Sequence, residues 1–214
     1  VLVFQTSANS NTIQTASTAS SLEEVARHYD SLWLTAFDSF NSCDDMLLLA
    51  DQHLNLLTLK RNLDPSATSE EKQRLEVIGQ WHSGEMVNVI ARGSLVMNLP
   101  TDAADSSTST TVASSSSSDS LTPTSDRILP THVLGSTSGA LLVAAPLSTS
   151  NYKFFARLEE ALSTVIRGVG GLSHREWRQF QEERKVEESK AFIDGDLVQL
   201  FLELSPKQQE QIAN

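Results

Sequence analysis

The sequence predicts a mainly β chain of antiparallel strands, followed by a small α-helical C-terminal region. Up to about residue 98 the apolar residues fall in short blocks divided by turn-formers, the punctuation of strands rather than of long helices. Two apolar runs around Gly135-Ser136-Thr137-Ser138-Gly139 give a clear hairpin signal. At about Asn151 the apolar period changes from two to about three and a half residues, as an amphipathic helix requires.

The strand blocks follow in order. VLVFQT is the first, and a polar insert, SANSNTIQTASTASS, separates it from LEEVARHY; Leu32 to Phe37 forms another block. Asp44-Asp45 precedes MLLLAD, and a turn at Gln52-His53 leads into LNLLTLK, the pattern of a hairpin. LEVIGQWH and MVNVIARGSLVM are expected to pair across Ser83-Gly84. A segment from about Pro100 to Pro130 contains SSTSTTVASSSSSDS. It is too polar to offset its ordering entropy by burial, so a disordered Ser/Thr-rich loop is expected at about 100–130. Strand patterning resumes directly in THVLGSTSGALLVAAPL, so this insert reads as an expanded loop between adjacent strands of one sheet. As a phosphorylation platform it would meet no structural resistance, but a passive loop of variable length is the simpler reading.

Phe154, Leu158, Ala161, Leu162, Val165 and Ile166 form a helical stripe that Gly168, Gly170 and Gly171 stop. Ser173 with Glu176 has capping-box spacing ahead of Trp177 and Phe180, so a second helix is expected there, with both aromatics in the helical core. Asp194 can cap a third helix carrying Leu197, Leu200, Phe201 and Leu204, and Ser205-Pro206 opens a fourth. Short sequential antiparallel strands suit a sandwich, barrel or propeller alike. No forty-residue repeat ending in Trp-Asp is visible.

Composition narrows the function classes. The 214 residues suffice for one large or two small domains, and the patterning divides them at 1–150 and 151–214. The first residue is not Met, and both ends fall inside structured patterns, so each is expected to be the edge of something longer. Cys43 is alone, and His28, His53, His82, His132 and His174 lack metal-ligand spacing, so neither a disulfide framework nor a metal or cofactor is expected. No apolar run reaches the roughly 18 residues of a membrane span, and no signal-peptide pattern opens the chain. The net charge is −11, with 7 basic against 16 acidic residues up to position 150 and 9 against 11 beyond it. Neither part has the basic surplus that phosphate-backbone binding needs, so nucleic-acid contact is expected to be indirect or weak.

Catalytic motifs are wanting. No Gly-x-Ser-x-Gly elbow or phosphate-cradling loop with Lys occurs, and GSTSG lies in a hairpin turn rather than before a helix. Cys43 stands beside Asp44 and Asp45, whose charges disfavour its thiolate. Asp194-Gly195-Asp196 lacks the oxygen-ligand series of a calcium loop and suits a helix N-terminus. A hydrolase on a β-rich fold is thus a minor reading, and no catalytic residue is assigned.

Four segments carry a family resemblance. LEEVARHYDSLWLTAF, EVIGQWHSGEMVNVIARGSLVM, VLGSTSGALLVAAPL, and the tail pieces WRQFQEER and FIDGDLVQLFLEL resemble, in order and spacing, the large subunit of the UV-damaged DNA-binding complex. IDGDL and the Gly-Glu strand are shared with the large subunits of splicing factor 3b and of the cleavage and polyadenylation factor. EEVARHY, GSLVM and the Arg-Lys after WRQF favour the damaged-DNA-binding branch. The resemblance implies closing blades of a β-propeller over 1–150 and a truncated helical domain over 151–214. It also implies a non-enzymatic adaptor of a cullin-4-type ubiquitin ligase, nuclear and possibly cytoplasmic, acting in DNA repair and protein ubiquitination. The cullin would dock on an upstream propeller outside this chain, and the alternative is an RNA-processing scaffold of the paralogous type. In the resembled family WD-repeat substrate receptors insert a helical segment between propellers. By position this implies Trp33 and Asn88 as pocket residues, with Thr35, Met86 and Val89 beside them; Met86 stands where the family often has Phe. Read without the resemblance, Trp33 and Met86 would be ordinary strand-core residues and Asn88 an outward polar position.

Overall fold

The computed structural model describes residues 2–7, 21–40, 46–95 and 131–213. Cys43, Asp44-Asp45, the Ser/Thr-rich segment and most of the first polar insert lie outside them. Two strands come first, β1 (Leu2–Ser7) and β2 (Ser21–Arg27), paired antiparallel. A four-stranded meander follows: β3 (Leu34–Ser39), β4 (Met46–Asp51), β5 (Asn55–Arg61) and β6 (Leu75–His82), with a one-turn helix α1 (Ser69–Lys72) between the last two. A three-stranded meander comes next, β7 (Val87–Arg92), β8 (His132–Ser136) and β9 (Leu141–Ala144). These separate antiparallel meanders, with β3 beside β7, are laid out as successive propeller blades.

The four-stranded sheet is buried on both faces, which explains why its central strands read as near-continuous apolar runs. Leu47 and Leu49 of β4 and Leu57 and Leu59 of β5 turn to one face, where Ala26, Leu75 and Phe180 complete a core. Leu48, Ala50 and Leu56 turn to the other and meet Val87 and Leu134 of the next meander, the period-two alternation of a strand. At roughly 25 cal/mol per Å² of apolar area removed from water, burying each such leucine contributes about 1.5–3 kcal/mol.

β7 pairs with β8, so the long insert does connect neighbouring strands of one sheet. Its root is clasped by a hydrogen bond from the Gly93 amide to the Thr131 carbonyl (3.0 Å) and one from Thr131 Oγ1 back to the Gly93 carbonyl (2.6 Å). The expected pairing of LEVIGQWH with the strand after Ser83-Gly84 does not form: β6 ends one sheet and β7 begins the next. The free edge of β6 is instead met by the tail, through reciprocal amide bonds between Gln80 and Lys190 (2.9 and 2.8 Å). Gly79 permits this approach, since a Cβ there would lie 2.4 Å from Thr58 Oγ1 and 3.2 Å from the Lys190 carbonyl.

The tail opens with α2 (Thr149–Val165), capped by Ser148. Ser173 and Glu176 do form the capping box, but the helix it starts, α3 (His174–Trp177), is a single turn. Phe180 then enters the hairpin β10 (Phe180–Glu182) and β11 (Lys185–Glu187) and packs into the sheet core, not a helical one. The cap satisfies only the first turn, and burial of Phe180 in the sheet outweighs the helix propensity of the residues that follow. α4 (Gly195–Leu200), capped by Asp194, and α5 (Pro206–Ala213) complete the described chain.

Candidate protein-interaction site

Five residues singled out by resemblance lie at one end of the neighbouring strands β3 and β7. Each strand carries a β-bulge there. Leu34 faces Asp51 and Ala36 faces Ala50, leaving Thr35 as an extra residue; Val87 faces Ser136 and Val89 faces Gly135, leaving Asn88 as another. A bulge re-aims side chains and resets alternation. After Asn88, Ile90 returns to the face of Val87 and packs on the same core, while Asn88 and Val89 are both exposed.

Thr35 ties the two bulges together, its hydroxyl donating to the Val87 carbonyl. Trp33 holds the start of β3, its carbonyl accepting from the Gln52 amide at 3.0 Å, yet its side chain is 70% exposed. The Met86 carbonyl accepts from the Thr137 amide at 2.9 Å, and its side chain stands at the surface. The end thus displays an indole, a thioether, a valine and an amide. Large apolar area with one orienting polar group is the makeup of an interaction patch. Trp33 is therefore not a core residue, whereas Asn88 does point outward.

A few residues away the charged groups are buried and mutually satisfied, beside half-buried tryptophans. Arg178 crosses the end of β6, its guanidinium 4.2 Å from the Trp81 ring centroid and 5.7 Å from that of Trp177. It donates to Asp194 Oδ2 through Nε (2.7 Å) and Nη2 (2.6 Å), and through Nη1 to the carbonyls of His82 (3.2 Å) and Ser83 (3.1 Å). Asp194 Oδ1 meanwhile caps α4, accepting from Asp196 and Leu197. The capping role read for Asp194 is present, and its second oxygen is committed to Arg178. The Asp194 amide donates to Glu159 Oε1 (2.8 Å), and His174 Nε2 lies 3.3 Å from the same oxygen.

Asn55, 1% exposed, completes the attachment. Its Nδ2 donates to Asp51 Oδ2 (2.9 Å) and the Gln181 carbonyl (2.7 Å), while its Oδ1 accepts from the Gln181 amide (3.2 Å). The side chain therefore pairs with β10 as a piece of strand would. His82 Nδ1 lies 3.2 Å from the same Oδ1, so it is the donor of that bond. Burial, and secondarily the Arg178 charge, hold the His82 pKa below the ordinary histidine value, against a smaller opposite pull from Asp51. Gly84, at φ 75°, takes a conformation that L side chains rarely adopt and lies against Trp177.

The sequence reading located Asp194 and Trp177 but missed the arginine that joins them. WRQF carries no local signal of this, since Arg178 stands between Trp177 and Gln179 with charged residues close on both sides. Among the described residues no group of three or more His, Cys, Asp or Glu side chains is placed to hold a metal, and no helix is long and apolar enough to cross a membrane.

Comparison with known proteins gives the chain its family. The sequence signature of the CPSF A subunit region matches residues 13–203. The chain belongs to that family. DNA damage-binding protein 1b of Arabidopsis thaliana is 39% identical over 192 residues, 90% of this chain and 15% of the relative. DNA damage-binding protein 1 of Solanum lycopersicum is 39% identical over the same share of each chain. The protein of that name in Oryza sativa subsp. japonica is 36% identical over 194 residues, 91% of this chain and 16% of the relative. This CPSF A subunit region is thus similar to the damage-binding proteins, and it spans less than a fifth of their length.

Proposed function

We propose that this CPSF A subunit region is a gripping segment of a protein-interaction scaffold, the adaptor of a cullin-4-type ubiquitin ligase. In this reading residues 1–150 close a propeller and residues 151–214 belong to a helical domain. The exposed end formed by Trp33, Thr35, Met86, Asn88 and Val89 receives a helical segment of a WD-repeat substrate receptor. The cullin is held by a propeller outside this chain, nucleic acid is reached through partners, and the work is done in the nucleus, in DNA repair and protein ubiquitination.

The observation that carries this reading is the pair of bulges on adjacent strands, which expose an aromatic, an amide and a valine together while the strands beneath stay packed. Apolar side chains held out on or beside paired strands suit a hot spot, because little backbone freedom remains to be lost on binding. Similarity to proteins named for binding DNA damage supports the repair context and favours this reading over the RNA-processing one. Nothing in the site points to catalysis, and a non-enzymatic role fits.

The test uses the full-length protein and a purified WD-repeat receptor. Trp33→Ala with Asn88→Ala should weaken capture by at least about tenfold, as loss of hot-spot contacts does. Unchanged affinity in a calorimetric titration of the folded double variant would remove the site.

A further inference from the structure

The link from β6 to β7, residues 83–86, carries Met86 and sets the approach to Asn88. Gly84 turns it through a left-handed conformation at φ 75°. A glycine at the base of an exposed segment leaves it free to move unless other elements grip it. This link is gripped from both sides.

On one side stands the turn between β4 and β5. Leu54 takes φ 66° there, rare for a residue with a side chain. Asp51 Oδ1 holds the turn by accepting the His53 and Asn55 amides at 2.9 Å each. The Leu54 carbonyl accepts from the Ser83 amide (2.8 Å) and from Ser83 Oγ (2.7 Å). The same hydroxyl oxygen accepts the Glu85 amide at 3.3 Å. Ser83 is buried, so this anchor belongs to the packed interior.

On the other side stands the tip of the β8–β9 hairpin. β7 and β8 pair as far as Val87 opposite Ser136. Beyond that pair the Thr137 amide donates to the Met86 carbonyl (2.9 Å), and Ser138 Oγ donates to Glu85 Oε2. The pairing therefore continues past the strands, first through backbone and then through side chains. A hydroxyl has one proton to give. Ser138 Oγ gives its own to Glu85, so it accepts from Ser136 Oγ (2.7 Å), which itself accepts the Ala140 amide (3.0 Å). Such a chain, running from amide through two hydroxyls to a carboxylate, is polarised along its length and stronger than its bonds taken singly.

We propose that Glu85 and Ser138 are positioning residues of the exposed end: their bond closes the hairpin tip onto the 83–86 link and fixes Met86 and Asn88 in the geometry a receptor meets. The inference rests on the reading of that end as the receptor site. Neither residue has to touch the receptor. The clasp removes in advance freedom that Met86 and Asn88 would lose on binding.

The experiment is calorimetric titration of a purified WD-repeat receptor into the full-length protein. Glu85→Ala and Ser138→Ala should each weaken binding about three- to tenfold, as loss of one hydrogen bond does, with the melting temperature unchanged. The double variant should lose no more than the worse single one, because both substitutions remove the same bond. Glu85→Gln keeps an acceptor for Ser138 and should restore most of the affinity. The Met86 methyl NMR resonance of the full-length protein, isotope-labelled at methionine, should shift in both alanine variants and return toward its place in Glu85→Gln. Full affinity in either alanine variant, additive losses in the double variant, or an unmoved Met86 resonance would overturn the clasp. Equal losses in Glu85→Gln and Glu85→Ala would also overturn it, by making Glu85 a charged contact with the receptor. The variant carrying Trp33→Ala with Asn88→Ala, titrated in parallel, separates the two readings. Intact binding there removes the receptor site and leaves the methyl resonance to judge the clasp; lost binding there, with intact binding in both clasp variants, removes the clasp alone.

Discussion

Trp33 and Trp177 stand near opposite edges of the same four-stranded sheet, and their surroundings differ in every respect that decides a role. Trp177 lies edge-on to His82 at 5.6 Å between ring centroids, over Gly84 and close to the Arg178 guanidinium. Around it Asp194, Asn55, Gln181 and the β6 carbonyls satisfy one another. Trp33 stands just ahead of a bulged strand with its side chain mostly in solvent. Groups whose interactions are completed inside the chain hold it together; groups displayed without completion are available to another chain. The same residue type serves both ends, so identity alone does not assign a role.

The comparison breaks first at Arg178. Replacing it with Ala leaves Asp194 buried without its cation, which costs about 3–5 kcal/mol; chemical denaturation of the full-length protein should show a destabilisation of that order, and one under about 1 kcal/mol would mean that the tail is held by other contacts. Gly79→Ala should cost about 1–3 kcal/mol by forcing a Cβ against Thr58 and the passing tail. A neutral result there would show that the sheet edge and tail separate easily.

The next effect is smaller and depends on pH. Because the His82 pKa is lowered in the folded state, the unfolded chain binds the extra proton more readily. Stability from this group is complete above the unfolded histidine value of about 6.5 and declines as the pH falls from there toward the folded value. His82→Gln should remove that part of the slope in denaturation midpoints between mildly acidic and neutral pH. At the exposed end, Trp33→Ala should change stability by no more than about 0.5 kcal/mol, as surface substitutions do. A larger loss would place Trp33 with the structural group after all.

Much of the fold was legible from local pattern. Met46–Asp51 and Asn55–Arg61 announce themselves by apolar runs on either side of a turn, and the caps at Ser173 and Asp194 were readable as short polar side chains ahead of periodic apolar residues. Which strand pairs with which was less legible. A short Ser-Gly link looks the same whether it closes a hairpin or passes to the next sheet, and only the distant Lys190, taking the free edge of β6, decides it. The α3 turn failed for a related reason, since the partner that draws Phe180 away from a helix is the sheet core. Arg178 was invisible because its acceptors are 16, 95 and 96 residues away. The exposed position of Trp33 had no local signal, because an apolar strand residue reads the same on either face until the bulge at Thr35 is known.

The bulge at Asn88 has an evolutionary corollary. Counted from the core, Asn88 is supernumerary: Val87 and Ile90 share a face only because one residue between them is skipped. Shortening the strand by that single position would leave Val87, Val89 and Ile90 in simple alternation with the same two inside. That end can therefore gain or lose its amide by a single insertion or deletion without any redesign of the hydrophobic interior that carries it.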